Sequence, residues 1–154
     1  MATRADIDDF HAQPHLALVG LSRDAKSFSS TVDRALRDHG HQVTAVNPWA
    51  DSIEGRPCVR TVADLPDGIG GAIVMVSADR AAGVVQECLD RGIERVWLHR
   101  GAGPSSVSDE AVALCVEHGV RVVDGACPLM FLEPTALIHR IHRAGRQLVG
   151  HLPR

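Results

Sequence analysis

The chain has 154 residues, the length of one domain rather than two, and we treat residues 1–154 as a single domain. Hydrophobic residues make up 45% and charged residues 23%, which is typical of a soluble globular protein. The formal net charge of −3 and the aromatic content of 3% argue against a nucleic-acid-binding protein, which needs a basic excess or aromatic stacking surfaces.

The distribution of apolar residues and cysteines predicts a cytoplasmic location. No apolar run approaches the ~20 residues that span a membrane. Residues 1–10 contain three aspartates and lack the apolar core of a signal peptide, so we expect neither export nor a membrane partner. The four cysteines are spaced singly, which favours free thiols over a disulfide framework or a zinc site.

The first third of the chain predicts two strands joined by a helix. Residues 1–14 form a polar lead-in with at most a short outer helix. The apolar run of residues 15–20 ends in glycine and is typical of a buried parallel strand. Ser27 or Ser29 is a suitable cap for a helix that ends near His39, and residues 41–46 form the second strand.

The rest of the chain continues the alternation of strands and helices. Strands are predicted near Val59 and over residues 71–76, 95–98 and 120–123, and helices over residues 79–91, 105–118 and about 134–147. This alternation predicts an α/β fold, an open doubly wound and mostly parallel sheet of five to six strands with helices on both faces. Ligands of such Rossmann-like sheets bind at the carboxyl ends of the strands.

The loop after the first strand does not have the pattern of a dinucleotide or ATP site. Only Gly20 of the Gly-x-Gly-x-x-Gly pattern is present, no Walker A loop exists, and the second strand ends in Asn47 rather than an acid. The loop nevertheless combines a glycine turn, a following helix N-terminus and side chains suited to an anion. These side chains are Ser22, Arg23, Lys26, Ser27 and Ser29. The alternative interpretation is a solvated polar loop with a helix cap.

Ordered motifs over residues 10–130 carry a resemblance to a known family. They are Ala-Leu-Val-Gly20 with Leu21-Ser22, Ser29 and Val32, His39-Gly40-His-Gln-Val, Val46-Asn47-Pro48, Gly55-Arg56 through Ala63-Asp64-Leu65-Pro66, Val96-Trp97-Leu98 with Gly101, and Val122-Val123 followed by Cys127-Pro128. In this order and spacing the chain resembles the small stand-alone CoA-binding domain proteins. Their fold is that of the CoA-binding domain in the succinyl-CoA synthetase alpha subunit.

The resemblance implies that coenzyme A or an acyl-CoA lies across the carboxyl edge of the sheet. Its pyrophosphate would contact the loop of residues 20–29, and Asn47 and Pro48 would flank the nucleotide. The candidate cofactor-binding residues are Gly20, Leu21, Ser22, Arg23, Lys26, Ser27, Ser29, Asn47, Pro48, Val76, Ser77, His99 and Arg100. The chain departs from the family pattern at Ser77, His99 and Gly125-Ala126, and Arg100 is the candidate to replace a charge lost there.

The sequence contains no evident catalytic constellation, so we expect a binding or regulatory module rather than an enzyme. The alternatives are a component of an acyl-CoA ligase system that acts with a separate partner chain, and a nucleotide-sensing regulator. Cys127 is either a reactive thiol beside the ligand or a small buried side chain. The basic helix and tail of residues 134–154 offer a surface for a homodimer or an acidic protein partner. No metal site is expected, because His139 and His142 lack a third ligand nearby.

Overall fold

The computed structural model describes residues 2–100 and 105–132, and the strands in this part of the chain form one sheet. The strands are β1 (His15–Val19), β2 (Gln42–Val46), β3 (Ser52–Ile53), β4 (Arg56–Val59), β5 (Gly71–Val74), β6 (Arg95–His99) and β7 (Arg121–Ala126). The helices are α1 (Arg4–His11), α2 (Phe28–Asp38), α3 (Ala78–Asp90) and α4 (Asp109–Glu117), with short 3-10 turns at Val62–Asp64 and Pro128–Phe131.

The sheet is doubly wound, as the alternation of predicted elements indicated. Its strand order is β3–β4–β2–β1–β5–β6–β7. All neighbouring strands pair in parallel except β3, which pairs antiparallel with β4. The predicted Rossmann-like α/β fold is therefore confirmed, and the two-residue strand β3 brings the sheet to seven strands instead of the expected five to six.

Successive residues of the central strands point to opposite faces and build two separate cores. Ala17 and Val19 of β1 pack in the core that α3 and α4 cover, whereas Leu16 and Leu18 pack in the core that α1 and α2 cover. The same alternation continues through β5 and β6. Strands buried on both faces need continuous apolar runs, which is why these segments are so clear in the sequence.

The polar lead-in contributes a helix to the core. Thr3 caps α1 by a reciprocal pair of hydrogen bonds with Asp6, and Ile7 and Phe10 are buried on the inner face of the helix. The Phe10 ring lies edge-on to the Trp97 ring at 5.3 Å between centroids. Residues 1–14 were expected to be a polar lead-in with at most a short outer helix, whereas Ile7 and Phe10 of α1 are buried in the core.

The predicted helices differ from the structure mainly at their starts. Of the two candidate caps, Ser27 and Ser29, the structure has Ser27 at the start of α2, where its hydroxyl accepts from the Ser30 backbone N–H. α4 begins at Asp109 instead of Ser105, because Ser108 is its cap and Ser106 is buried in the preceding loop. The predicted basic helix of residues 134–147 lies outside the described residues. Among the described helices, none is long and apolar enough to cross a membrane.

Candidate nucleotide-binding site

A cleft of about 410 Å³ opens at the carboxyl ends of β1, β2 and β5. It lies at the point where the strand order reverses, because β1 leads to α2 on one face of the sheet and β5 leads to α3 on the other. The lining residues come from the loops after these strands and from one face of α3. They are Val19, Gly20, Leu21, Ser22, Val46, Asn47, Pro48, Trp49, Arg60, Thr61, Met75, Val76, Ser77, Arg80, Val84 and Glu87.

Gly20 allows the backbones after β1 and β5 to lie unusually close together. It has a φ of +96°, and a Cβ added to it would be 2.5 Å from the carbonyl oxygen of Met75. Only glycine fits both the backbone conformation and this contact. The predicted role of Gly20 in a tight turn agrees with this geometry, which keeps the bottom of the cleft open.

Asn47 organises the turn after β2. Its Nδ2 donates to the Leu21 carbonyl at 2.8 Å, and its Oδ1 accepts from the Trp49 backbone N–H at 2.8 Å. Its own backbone N–H donates to the Val59 carbonyl at 2.9 Å. The nitrogen and the oxygen of the Asn47 side-chain amide therefore both form hydrogen bonds within the chain. They link the loop after β1 to the turn that carries Pro48 and Trp49.

Cations that form no ion pair with a described carboxylate lie at this edge of the sheet. The described residues include twelve lysine and arginine side chains, and eight of them form ion pairs with carboxylates. The four described side chains without an ion pair are Arg23, Lys26, Arg80 and Arg100. All four follow the carboxyl end of a strand: two lie after β1, one after β5 and one after β6. An anionic ligand at this edge would meet cations that need not give up another partner.

Carboxylates also lie near these cations, and Asp79 interacts electrostatically with its neighbour Arg80. The Ser77 side chain, by hydrogen bonding, lowers the pKa of Asp79, which therefore stays ionised in the first turn of α3. Asp24 accepts from the Lys26 backbone N–H at 2.9 Å, and Asp51 pairs with Arg60 at 2.9 Å. Glu87 is the carboxylate that lines the cleft itself, two turns beyond Arg80 on the same face of α3.

The predicted serines after β1 hold the loop together. Ser29 is buried, and its hydroxyl accepts from the Ser22 backbone N–H at 3.0 Å. Ser27 contacts the hydroxyls of Ser29 and Ser30 at 3.0 and 2.9 Å. These hydroxyls shape the entry to α2, and their hydrogen bonds lie within the chain.

His99 lies on the α2 side of the same edge, outside the cleft lining. It is 6% exposed, its ring lies 5.2 Å from the Phe28 ring, and its Nδ1 has no hydrogen-bond partner among the described residues. Burial lowers the pKa of His99, so the ring is neutral near pH 7. In the described part of the chain, no hydrogen bond joins its ring to a hydroxyl, a thiol or a carboxylate.

Seven of the thirteen predicted residues line the cleft, and six do not. The seven are Gly20, Leu21, Ser22, Asn47, Pro48, Val76 and Ser77; the six are Arg23, Lys26, Ser27, Ser29, His99 and Arg100. Four of the lining residues, Trp49, Arg60, Arg80 and Glu87, are absent from the candidates that the sequence suggested. Trp49 directly follows Asn47-Pro48, so its adjacency to a predicted site was the available signal.

The cysteines divide into three buried thiols and one half-buried thiol. Burial raises the pKa of Cys88 to about 12 and that of Cys115 to about 11, so both are unreactive core side chains. Cys127 is half-buried and caps the 3-10 turn that follows β7. Residues 2–100 and 105–132 contain no group of three histidine, cysteine or carboxylate side chains that could hold a metal ion.

The doubly wound sheet with a ligand-sized cleft at its switch point defines a Rossmann-like binding domain. Comparison with known proteins gives the family: residues 15–133 match the CoA binding domain. The chain belongs to this family of CoA-binding domains, as the resemblance implied.

Relatives include both small proteins and large ligases. The chain is 28% identical over 112 residues to the Bacillus subtilis protein YneT, covering 73% of this chain and 80% of that protein. It is 27% identical over 118 residues to the ADP-forming acetate–CoA ligase I of Archaeoglobus fulgidus, covering 73% of this chain and only 17% of the ligase. A solved structure from Pyrococcus horikoshii OT3 has a TM-score of 0.75 at 27% identity, covering 83% of this chain and 88% of that one.

Proposed function

We propose that the protein binds coenzyme A or an acyl-CoA at the cleft, as a non-catalytic binding or regulatory module. The observation that carries the proposal is Arg80, which lines the cleft, together with three further cations that follow strands at the same edge of the sheet, Arg23, Lys26 and Arg100. None of the four forms an ion pair with a described carboxylate. Coenzyme A carries a pyrophosphate and a 3′-phosphate, so its charge matches that set. The cleft volume also lies in the range of small-molecule sites.

The chemistry supported by the site is binding rather than turnover. Cations and backbone N–H groups would hold the phosphates, and the apolar side chains of Val19, Val46 and Val84 would cover the less polar parts of the ligand. The described titratable groups do not form a nucleophile–base pair at the cleft. Arg80 is the central candidate, because it lines the cleft and has no ion pair among the described residues.

The proposal is tested by calorimetric titration of the reduced protein with coenzyme A, using NAD, NADP and ATP as comparison ligands. We expect saturable binding of coenzyme A. Replacing Arg80 by glutamine should weaken it about tenfold or more, since a hydrogen bond to a charged group contributes about 1.5–3 kcal/mol.

Arg121→Gln is the matched control. Arg121 is 58% exposed and starts β7 at the opposite edge of the sheet, where it pairs with Asp9 at 2.7 Å. Its replacement should leave the affinity unchanged. A folded wild-type protein that does not bind coenzyme A would refute the proposed function, and an unchanged affinity in Arg80→Gln would refute the assignment of the site.

A second candidate function is a coenzyme A-binding component of an acyl-CoA ligase system, acting with a separate chain. The match of this chain to 17% of an ADP-forming acetate–CoA ligase favours it. The chain alone should then release no ADP from ATP, acetate and coenzyme A. ADP release by the purified chain would contradict both this candidate and the non-catalytic module.

A further inference from the structure

Trp49 is an exposed aromatic side chain at the rim of the cleft. It is 75% exposed, whereas Trp97, the other tryptophan, is fully buried. The exposed large apolar side chains of the described residues are Phe28, Trp49, Val116 and Met130. Of these four, Trp49 is the one that lines the cleft. An indole left open to water at the mouth of a polar site has a large flat surface available for a ligand.

The backbone that carries Trp49 is fixed from several sides. The Asn47 side chain accepts from the Trp49 N–H, and Arg60 donates to the Pro48 carbonyl at 3.2 Å. Arg60 also bonds the Asp51 carboxylate at 3.0 Å, and the Asp51 carbonyl accepts from the Cys58 N–H at 3.0 Å. The turn is therefore tied to β4 at both of its ends, and ordering it costs little when a ligand binds.

The surroundings of Trp49 suit a nucleotide better than a purely apolar group. Arg60 and Arg80 line the same cleft as Trp49, so cations and an exposed aromatic side chain belong to one site. A purine base with attached phosphates satisfies both features, since the base stacks on the indole and the phosphates meet the guanidinium groups. A pantetheine chain has no aromatic ring and satisfies neither feature.

We propose that Trp49 is the specificity-determining residue of the cleft and stacks on the adenine base of the ligand. Asn47 is then a positioning residue that holds Trp49 in place. This inference rests on the proposed function for the identity of the whole ligand, but the stacking itself requires only an adenine nucleotide. It differs from the sequence-based expectation, in which Asn47 and Pro48 themselves flank the nucleotide.

The test compares three ligands that contain different parts of coenzyme A: coenzyme A itself, adenosine 3′,5′-bisphosphate and 4′-phosphopantetheine. Binding is measured by calorimetry, and tryptophan emission is measured with acrylamide as a neutral quencher. We expect the two adenine ligands to change the emission and to protect Trp49 from acrylamide. Phosphopantetheine should do neither, and Trp97 should stay inaccessible throughout because it is buried.

The variants Trp49→Ala and Trp49→Phe separate stacking from a general effect on the fold. Trp49→Ala should lose about fivefold or more in affinity for both adenine ligands, the effect of removing one base–aromatic stack. Its affinity for phosphopantetheine should not change, and Trp49→Phe should retain most of the affinity for the adenine ligands. The control Val116→Ala removes a 66%-exposed apolar side chain from α4 and should have no effect.

The outcomes distinguish this inference from the proposed function. Equal losses for all three ligands in Trp49→Ala, no loss at all, or bound adenine ligands that leave Trp49 open to acrylamide would overturn the stacking role. A protein that binds the adenosine bisphosphate against Trp49 but does not bind coenzyme A would refute the proposed function and leave the stacking role supported.

Discussion

At the scale of single residues, the short distance between Gly20 and the Met75 carbonyl predicts that adding a methyl group at Gly20 strongly lowers the stability of the fold. Gly20 and Gly40 have similar φ values of +96° and +92°, but an added Cβ meets nothing within 4 Å at Gly40. Gly40→Ala should therefore lower the free energy of unfolding by about 1 kcal/mol, the cost of a left-handed conformation. Gly20→Ala should lower it by about 3 kcal/mol, since the contact with the Met75 carbonyl is added. Urea denaturation of the two variants measures the difference, and equal losses would contradict the contact.

The same contact limits what can be learned from substitutions at Gly20. A side chain at this position would displace the backbone after β5, so a loss of ligand binding would follow from a distorted sheet edge. Arg80 and Trp49 are better probes, because both are exposed and neither holds the described fold together. Asn47 also lines the cleft, but its amide is hydrogen-bonded to Leu21 and Trp49, so its replacement would disturb the turn as well as any ligand contact.

At the scale of elements, an ion-pair network joins α2 to the edge of the sheet. The Asp33 side chain is 1% exposed and accepts from Arg37 at 2.9 Å and from Arg56 of β4. Asp33→Ala would leave two partly buried guanidinium groups without their shared carboxylate, so it should lower the free energy of unfolding by about 3 kcal/mol. The control Asp8→Ala removes an exposed pair within α1, with side chains 67% and 60% exposed, and should cost less than about 1 kcal/mol.

Chemical denaturation of both variants checks this prediction. A loss in Asp33→Ala no larger than in Asp8→Ala would show that the network does not stabilise the attachment of α2. The double variant Asp33→Leu with Arg56→Met, which removes the buried carboxylate and one of its partners, should recover part of the loss.

Local sequence patterns predicted most strands and helices, because the residues within each element carry the pattern typical of that element. The run of residues 15–20 is apolar on both faces of a central strand, and the stop after α3 is a glycine at position 92. The start of α4 was predicted too early, since three serines offer the same cap and only tertiary contacts choose among them. Ser106 does not cap the helix, because its hydroxyl donates to the Val76 carbonyl in the loop after β5.

At the scale of the whole molecule, the location of the cleft could be predicted but its full lining could not. Ligands of a doubly wound sheet bind at the carboxyl ends of its strands, so the loops at Gly20, Asn47 and Ser77 could be predicted to form the site. Arg60 reaches the cleft because β4 returns beside β2, and Arg80 because α3 crosses the opening of the cleft. The position of Arg60 depends on how distant segments pack: it follows the strand predicted near Val59, and no local pattern shows that this strand pairs with β2. Arg80 lies three residues after Ser77, in the first turn of α3.

The packing of α1 on the sheet predicts how the stability of the molecule depends on pH. His11 is packed against the Trp97 ring at 5.3 Å between centroids, and neither ring nitrogen has a hydrogen-bond partner among the described residues. Burial, with smaller contributions from His41 and His39, lowers the pKa of His11 from 6.5 to about 4. The unfolded chain therefore binds a proton between pH 6.5 and 4 that the folded chain does not bind. His11 thus lowers the free energy of unfolding as the pH falls through this window.

The variant His11→Phe keeps an aromatic ring against Trp97 and removes the titrating group. Its free energy of unfolding should fall less between pH 7 and pH 4.5 than that of the wild type, when both are measured by urea denaturation at the two pH values. His118→Phe is the control, because His118 is exposed on the surface after α4 and its replacement should leave the wild-type pH dependence intact. The same pH dependence in His11→Phe and in the wild type would mean that His11 gains access to water when protonated. The attachment of α1 to the sheet would then be looser than the burial of Ile7 and Phe10 indicates.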